Sequence, residues 1–132
     1  MIYEQVVVLS VPFADAVAKA KEAFAAEGFG ALTEIDIQGT LAAKAGKKMD
    51  HYMIIGACNP ELAGRALDAE PQIGVLLPCN VVVRQTPSGV LIEAMDPGVM
   101  ATLAGTDAIR PIADEARRRV AGALDRLMSR TS

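Results

Sequence analysis

Apolar and polar residues alternate along this chain with two different periods. The run Val6-Val7-Val8-Leu9 is apolar, mostly β-branched and free of breakers, which predicts a strand over residues 2–9. Pro12 then stands where a first helical residue is expected, since its missing N–H costs nothing there. Phe13, Val17, Ala20 and Phe24 follow at spacings of 4, 3 and 4, which is one helical face, with Asp15, Lys19 and Glu22 elsewhere on the wheel. Gly28 supplies a left-handed cap after Glu27, so the pattern predicts a helix over 12–27. The same reasoning predicts strands over 29–37 and 51–57, short helices over 40–48, 60–69 and 97–103, and strands over 79–85 and 90–95. Between the last two strands, Thr86-Pro87-Ser88-Gly89 has the composition of a hairpin turn. Residues 73–78 are apolar and bounded by Pro71 and Pro78, which predicts a buried loop or a brief extended stretch. The final helix, over 107–128, carries the stripe Ile112, Ala116, Val120, Ala123 and Leu127.

The hairpin breaks what would otherwise be a βαβ alternation. That order predicts an α+β domain, with a mainly antiparallel sheet and the two long helices on one face. No repeat, low-complexity tract or linker divides the chain, so residues 1–132 read as a single domain, a usual size for one.

Composition narrows the function classes. The chain is 52% hydrophobic with a formal net charge of −3, which excludes disorder. An acidic balance with scattered basic residues argues against nucleic acid as a partner; Lys44, Lys47, Lys48 and the run Arg117-Arg118-Arg119 read as solvated helix faces. No apolar run reaches the ~20 residues of a membrane span, and Met1-Ile2-Tyr3-Glu4-Gln5 lacks the basic start of a signal peptide. The expected compartment is the cytoplasm, with both cysteines reduced.

Candidate chemistry centres on Gly56-Ala57-Cys58-Asn59-Pro60-Glu61-Leu62. Asn59 has the side chain of an N-cap and Pro60 that of a first helical residue. Cys58 therefore lies just before a helix N-terminus, where the dipole favours a thiolate. A buried structural cysteine at a strand end fits the same residues. Cys79 stands in Pro78-Cys79-Asn80. Strand alternation puts it on a face with Val81 and Val83, and Asn80 on the other face with Val82 and Arg84. Both cysteines nonetheless precede an asparagine at a proline-marked junction, and two such corners, Cys58-Asn59 and Cys79-Asn80, could meet in one polar pocket. Glu34 and Asp36, two residues apart on one strand face, are a candidate carboxylate pair for acid/base work or a solvated sheet surface.

No zinc signature is present: the cysteines are 21 residues apart and His51 is the only histidine. His51 and Cys58 are separated by about 23 Å of extended chain. No metal ligand set is assigned, the cofactor is unknown, and no nucleotide or hydrolase motif occurs. Three function classes stay open. One is a binding module with a Cys/Asn-lined pocket for a small molecule or ion. The second is an interaction dimer without chemistry, and the third an enzyme with Cys58 as nucleophile assisted by Glu34 or Asp36. The apolar stretch 73–77 also predicts a two-fold dimer, if the long helices leave it uncovered.

Four motifs in order carry a resemblance. Gly28-Phe29-Gly30-Ala31-Leu32-Thr33-Glu34-Ile35-Asp36, Ile54-Ile55-Gly56-Ala57-Cys58-Asn59-Pro60, Gly74-Val75-Leu76-Leu77-Pro78-Cys79-Asn80-Val81 and Met95-Asp96-Pro97 resemble the DUF302 family of small bacterial and archaeal proteins, over residues 2 to 128. Met53 departs from the pattern, which has a basic residue after the tyrosine. The resemblance implies one copy of a TBP-like fold, a curved antiparallel sheet with long helices on one side, and a homodimer. It implies no activity, since fold alone does not carry one.

Overall fold

The β-branched run at the start of the chain forms an edge strand. In the computed structural model, which describes residues 3–129, β1 (Tyr3–Leu9) pairs antiparallel with β5 (Gly89–Met95), the second strand of the hairpin begun by β4 (Cys79–Thr86). Ile2, expected in that first strand, lies outside the described residues. The sheet continues through β3 (Tyr52–Cys58) to β2 (Gly30–Asp36), in the order β1-β5-β4-β3-β2, with every neighbouring pair antiparallel. Helices α1 (Phe13–Ala26) and α5 (Arg110–Ser129) cross one face of it. The protein is thus α+β with both long helices on one side, an arrangement consistent with the TBP-like expectation.

Alternation along β4 and β5 explains the layering. Val81, Val83, Val90, Ile92 and Ala94 are buried, and meet Val17, Ala20, Phe24, Val120, Leu124 and Leu127 from the helices. Alanines at the α1 contact let that helix lie close to the sheet. The opposite face carries Val6, Val8, Ile54, Val82 and Leu91, each half-buried or exposed, around the ion pair of Arg84 Nε with Glu93 Oε1 at 2.6 Å. Neither α1 nor α5 covers that face.

A second, smaller apolar cluster lies at one end of the sheet. It joins α3 (Pro60–Ala69) and α4 (Gly98–Ala104) to the first half of α5 through Leu62, Ala66, Ile73, Met100, Ile109, Ile112, Ala113 and Ala116. In place of the buried loop or brief extended stretch expected over 73–78, a 3-10 turn, Pro71–Leu76, buries Ile73 in this cluster and leaves Val75 88% exposed. The last helix likewise begins with a separate 3-10 turn, Asp107–Ile109.

One boundary differs more. The helix expected at 40–48 is α2 (Ile37–Ala45), and it starts directly after β2 because Asp36 Oδ1 accepts a hydrogen bond from Gly39 N at 2.9 Å. The carboxylate that looked like half of an acid/base pair is a helix cap.

Candidate functional site

Sheet register brings the two cysteines together. Cys79, the first residue of β4, stands opposite Ala57 on β3, and Cys58 is the next residue along and the last of that strand. The chain then turns into α3, whose N-cap is Asn59: its Oδ1 accepts the Leu62 N–H at 3.1 Å. Asn59 is 6% exposed, and no other polar or charged residue among those described is so buried. Cys58, Asn59 and Cys79 line one cavity of about 30 Å³. It lies on the seam between the two apolar clusters, with Phe29 and Ala57 contributed by the first and Leu62, Met100 and Ile112 by the second.

The cysteines differ in environment. Cys58 is half-buried at the cavity wall, and Cys79 is buried. Neither is in a disulfide. Burial, and secondarily the charge of Cys58, push the Cys79 thiol from 9.0 up to about 11. Cys79 therefore keeps its proton at neutral pH.

That shift has a measurable consequence. Between pH 9 and pH 11 the folded chain holds a Cys79 proton that the unfolded chain has released. The stabilisation is complete below the unfolded value and is lost as pH rises through the folded one, about 2–3 kcal/mol in all. Cys79→Val, which keeps an apolar side chain of similar size, is expected to remove that alkaline loss. Urea denaturation at pH 8 and pH 10.5 should show the wild type losing roughly 2 kcal/mol more than the variant. Parallel losses would contradict the burial of a neutral thiol.

The remaining candidates lie elsewhere. Asn80 is exposed on the uncovered sheet face, opposite Gly56, and does not line the cavity. Alternation along β4 separates it from Cys79 by a face, so only one of the two Cys-Asn corners is intact at the cavity. Glu34 pairs with Lys21 at 3.3 Å, and Asp36 caps α2. In register, Gly30 is the residue opposite Cys58, which leaves Glu34 about 13 Å and Asp36 about 20 Å further along the strand. Neither carboxylate reaches the thiols. His51 precedes the other end of β3, its ring stacked on Phe13 at a centroid distance of 4.9 Å.

The arginine run is engaged with acids. Arg118 and Arg119 hold Glu115 at 2.9 and 2.8 Å, and Arg117 Nε lies 3.3 Å from Asp96 Oδ1. The two hydrogen-bonded guanidiniums keep the Glu115 carboxyl below its usual range. Met100 and Phe29, both at the cavity, were not among the sequence candidates. Phe29 lies inside a resembling motif, but Met100 stands 21 residues beyond Cys79 on a short helix and carries no local signal. Among the described residues no cluster of three or more His, Cys, Asp and Glu side chains is placed to hold a metal.

Comparison with known proteins agrees with this architecture. The family model described as "Domain of unknown function DUF302" matches residues 5–127. No functionally curated protein matches the chain. Among solved structures, the crystal structure of the uncharacterized conserved protein DUF302 from Bacillus stearothermophilus is similar, with a TM-score of 0.87 and 28% sequence identity. The likeness covers 96% of this chain and 98% of that one.

Proposed function

This chain belongs to the DUF302 family, and on that premise we propose that it is a dimeric cytoplasmic binding module whose Cys58–Asn59–Cys79 cavity takes one small ion. The observation that carries the reading is that two unbridged cysteines and a buried helix cap line one cavity. Its size decides the ligand class. Pockets for metabolites run to about 300–1,000 Å³, whereas about 30 Å³ accommodates one or two atoms. An enzyme using Cys58 as nucleophile needs a base within hydrogen-bond reach, and the candidate carboxylates Glu34 and Asp36 are too far along β2 to serve.

A reducing compartment suits thiols kept free for a ligand. No helix among the described residues is long and apolar enough to cross a membrane. For the dimer, the support is the sheet face that the two long helices leave open. Val8 is 47% exposed and Val6 38%, and Leu91, Val82 and Ile54 continue the apolar surface across three further strands. A second copy packed there would complete a layered core. Light scattering at micromolar concentration is expected to give the mass of two chains, and that of one chain would contradict the dimer.

Thiol labelling tests the cavity. With iodoacetamide at pH 7.5, followed by peptide mapping, Cys58 is expected to react first. Cys79 is expected to lag a model thiol by about 100-fold or more, the factor that two pH units of raised pKa remove from its thiolate fraction. An ion seated between the thiols should then protect both. Equal labelling of the two cysteines would contradict the reading.

A further inference from the structure

Three sulfur-bearing residues line the cavity: Cys58 from the end of β3, Cys79 from the start of β4 and Met100 from α4. They come from three separate elements, and no carboxylate or imidazole joins them there. The one amide present, Asn59, has its Oδ1 engaged by the Leu62 N–H. Hard cations such as Mg²⁺ and Ca²⁺ need six or more oxygen ligands. Structural zinc takes four nitrogen or sulfur donors, one more than the cavity offers. Thiolate and thioether donors in small number instead select soft d¹⁰ ions.

We propose that the cavity is a site for a soft monovalent cation of the Cu(I) class, held between the Cys58 and Cys79 sulfurs with the Met100 thioether as third donor. The proposal rests on the reading of the cavity as an ion site and names the ion's class. Binding exchanges two S–H bonds for two metal–sulfur bonds, and both protons leave to solvent. The bound unit, one monovalent cation and two thiolates, carries a single negative charge. The N-terminal end of α3, which begins two residues after Cys58, presents its positive dipole end to that charge. No electron transfer is involved, and the apolar walls formed by Phe29, Leu62 and Ile112 keep water from the ion.

The test is an anaerobic titration of the full chain with Cu(I) against a competing chromogenic Cu(I) chelator, run beside Zn(II). Native mass spectrometry counts ions per chain, and alkylation reports protection of Cys58. One Cu(I) per chain is expected, with Cys58 protected and no stoichiometric Zn(II). Cys58→Ser is expected to weaken Cu(I) binding by about 100-fold or more, and the volume-conserving Met100→Leu by about 10-fold. Cys58 is half-buried, so its serine variant is expected to keep the fold, which circular dichroism checks. Met100→Leu supplies a second variant that leaves both thiols in place. Cu(I) binding that survives Cys58→Ser would overturn the proposal. So would protection of Cys58 by Zn(II) but not Cu(I), although the cavity would then still be an ion site. Protection by neither ion would overturn the proposal and the ion-site reading together.

Discussion

Phe29→Ala is expected to destabilise the protein by about 3–5 kcal/mol, the usual range for deleting a buried phenyl ring. Phe29 is 3% exposed, and its ring meets that of Phe24 edge-on at a centroid distance of 6.0 Å. It lines the thiol cavity on one side and a smaller apolar cavity, about 10 Å³, on the other. Truncation would join the two voids, with Ala20 and Ile55 bounding the far side, and collapse is limited because those walls are helix and sheet. Urea denaturation measures the loss, and the variant should also alkylate Cys79 faster than the wild type does. A loss below about 1 kcal/mol would mean that the ring is not part of the packed seam.

Gly28→Ala is expected to cost about 2–5 kcal/mol, from two causes that add. Gly28 has φ +88, a left-handed conformation that a β-carbon penalises by about 1–2 kcal/mol. The added carbon would also stand 2.8 Å from Asn59 Nδ2 and 3.4 Å from Arg119 Nη1. Asn59 has little room to retreat, since it is buried and its other side-chain atom caps α3. Overpacking of this kind adds roughly 1–3 kcal/mol. Gly30→Ala is the control: its new carbon meets nothing within 4 Å, so a change within about 0.5 kcal/mol is expected. Similar losses at both positions would show that neither the backbone angle nor the contact with Asn59 matters.

The fold was legible where local chemistry is decisive. β-Branched runs without breakers became β1 and β4, and the Thr86–Gly89 turn announced the antiparallel hairpin. The 4-3-4 spacing of apolar residues marked the buried face of α1, where Val17, Ala20 and Phe24 are all in the core. Legibility failed at Asp36, because an aspartate at a strand end and one capping a helix have the same neighbours in sequence. It also failed at residues 71–76, where a 3-10 turn is too short to display a period.

At the site, the corner Cys58-Asn59-Pro60 could be read because N-cap and first-turn preferences are local. The same alternation that placed Cys79 on the core face already separated it from Asn80. That Cys58 and Cys79 line one cavity depends on strand order and register, and the presence of Met100 there depends on where α4 docks. Neither is written in spacing along the chain. Glu34 and Asp36 do lie two apart on one strand, but β2 is an edge strand whose residues are all exposed, and its carboxylates answer to Lys21 and to the start of α2.

The central claim is that Cys58 and Cys79 close on one cavity that seats one ion. Anomalous diffraction from crystals of the Cu(I)-loaded protein, grown without oxygen, tests it most directly. The account expects one strong copper peak per chain, between the Sγ atoms of Cys58 and Cys79 and within bonding distance of both. Copper found only at surface sulfurs such as Met128, with the cavity between the two thiols empty, would contradict it.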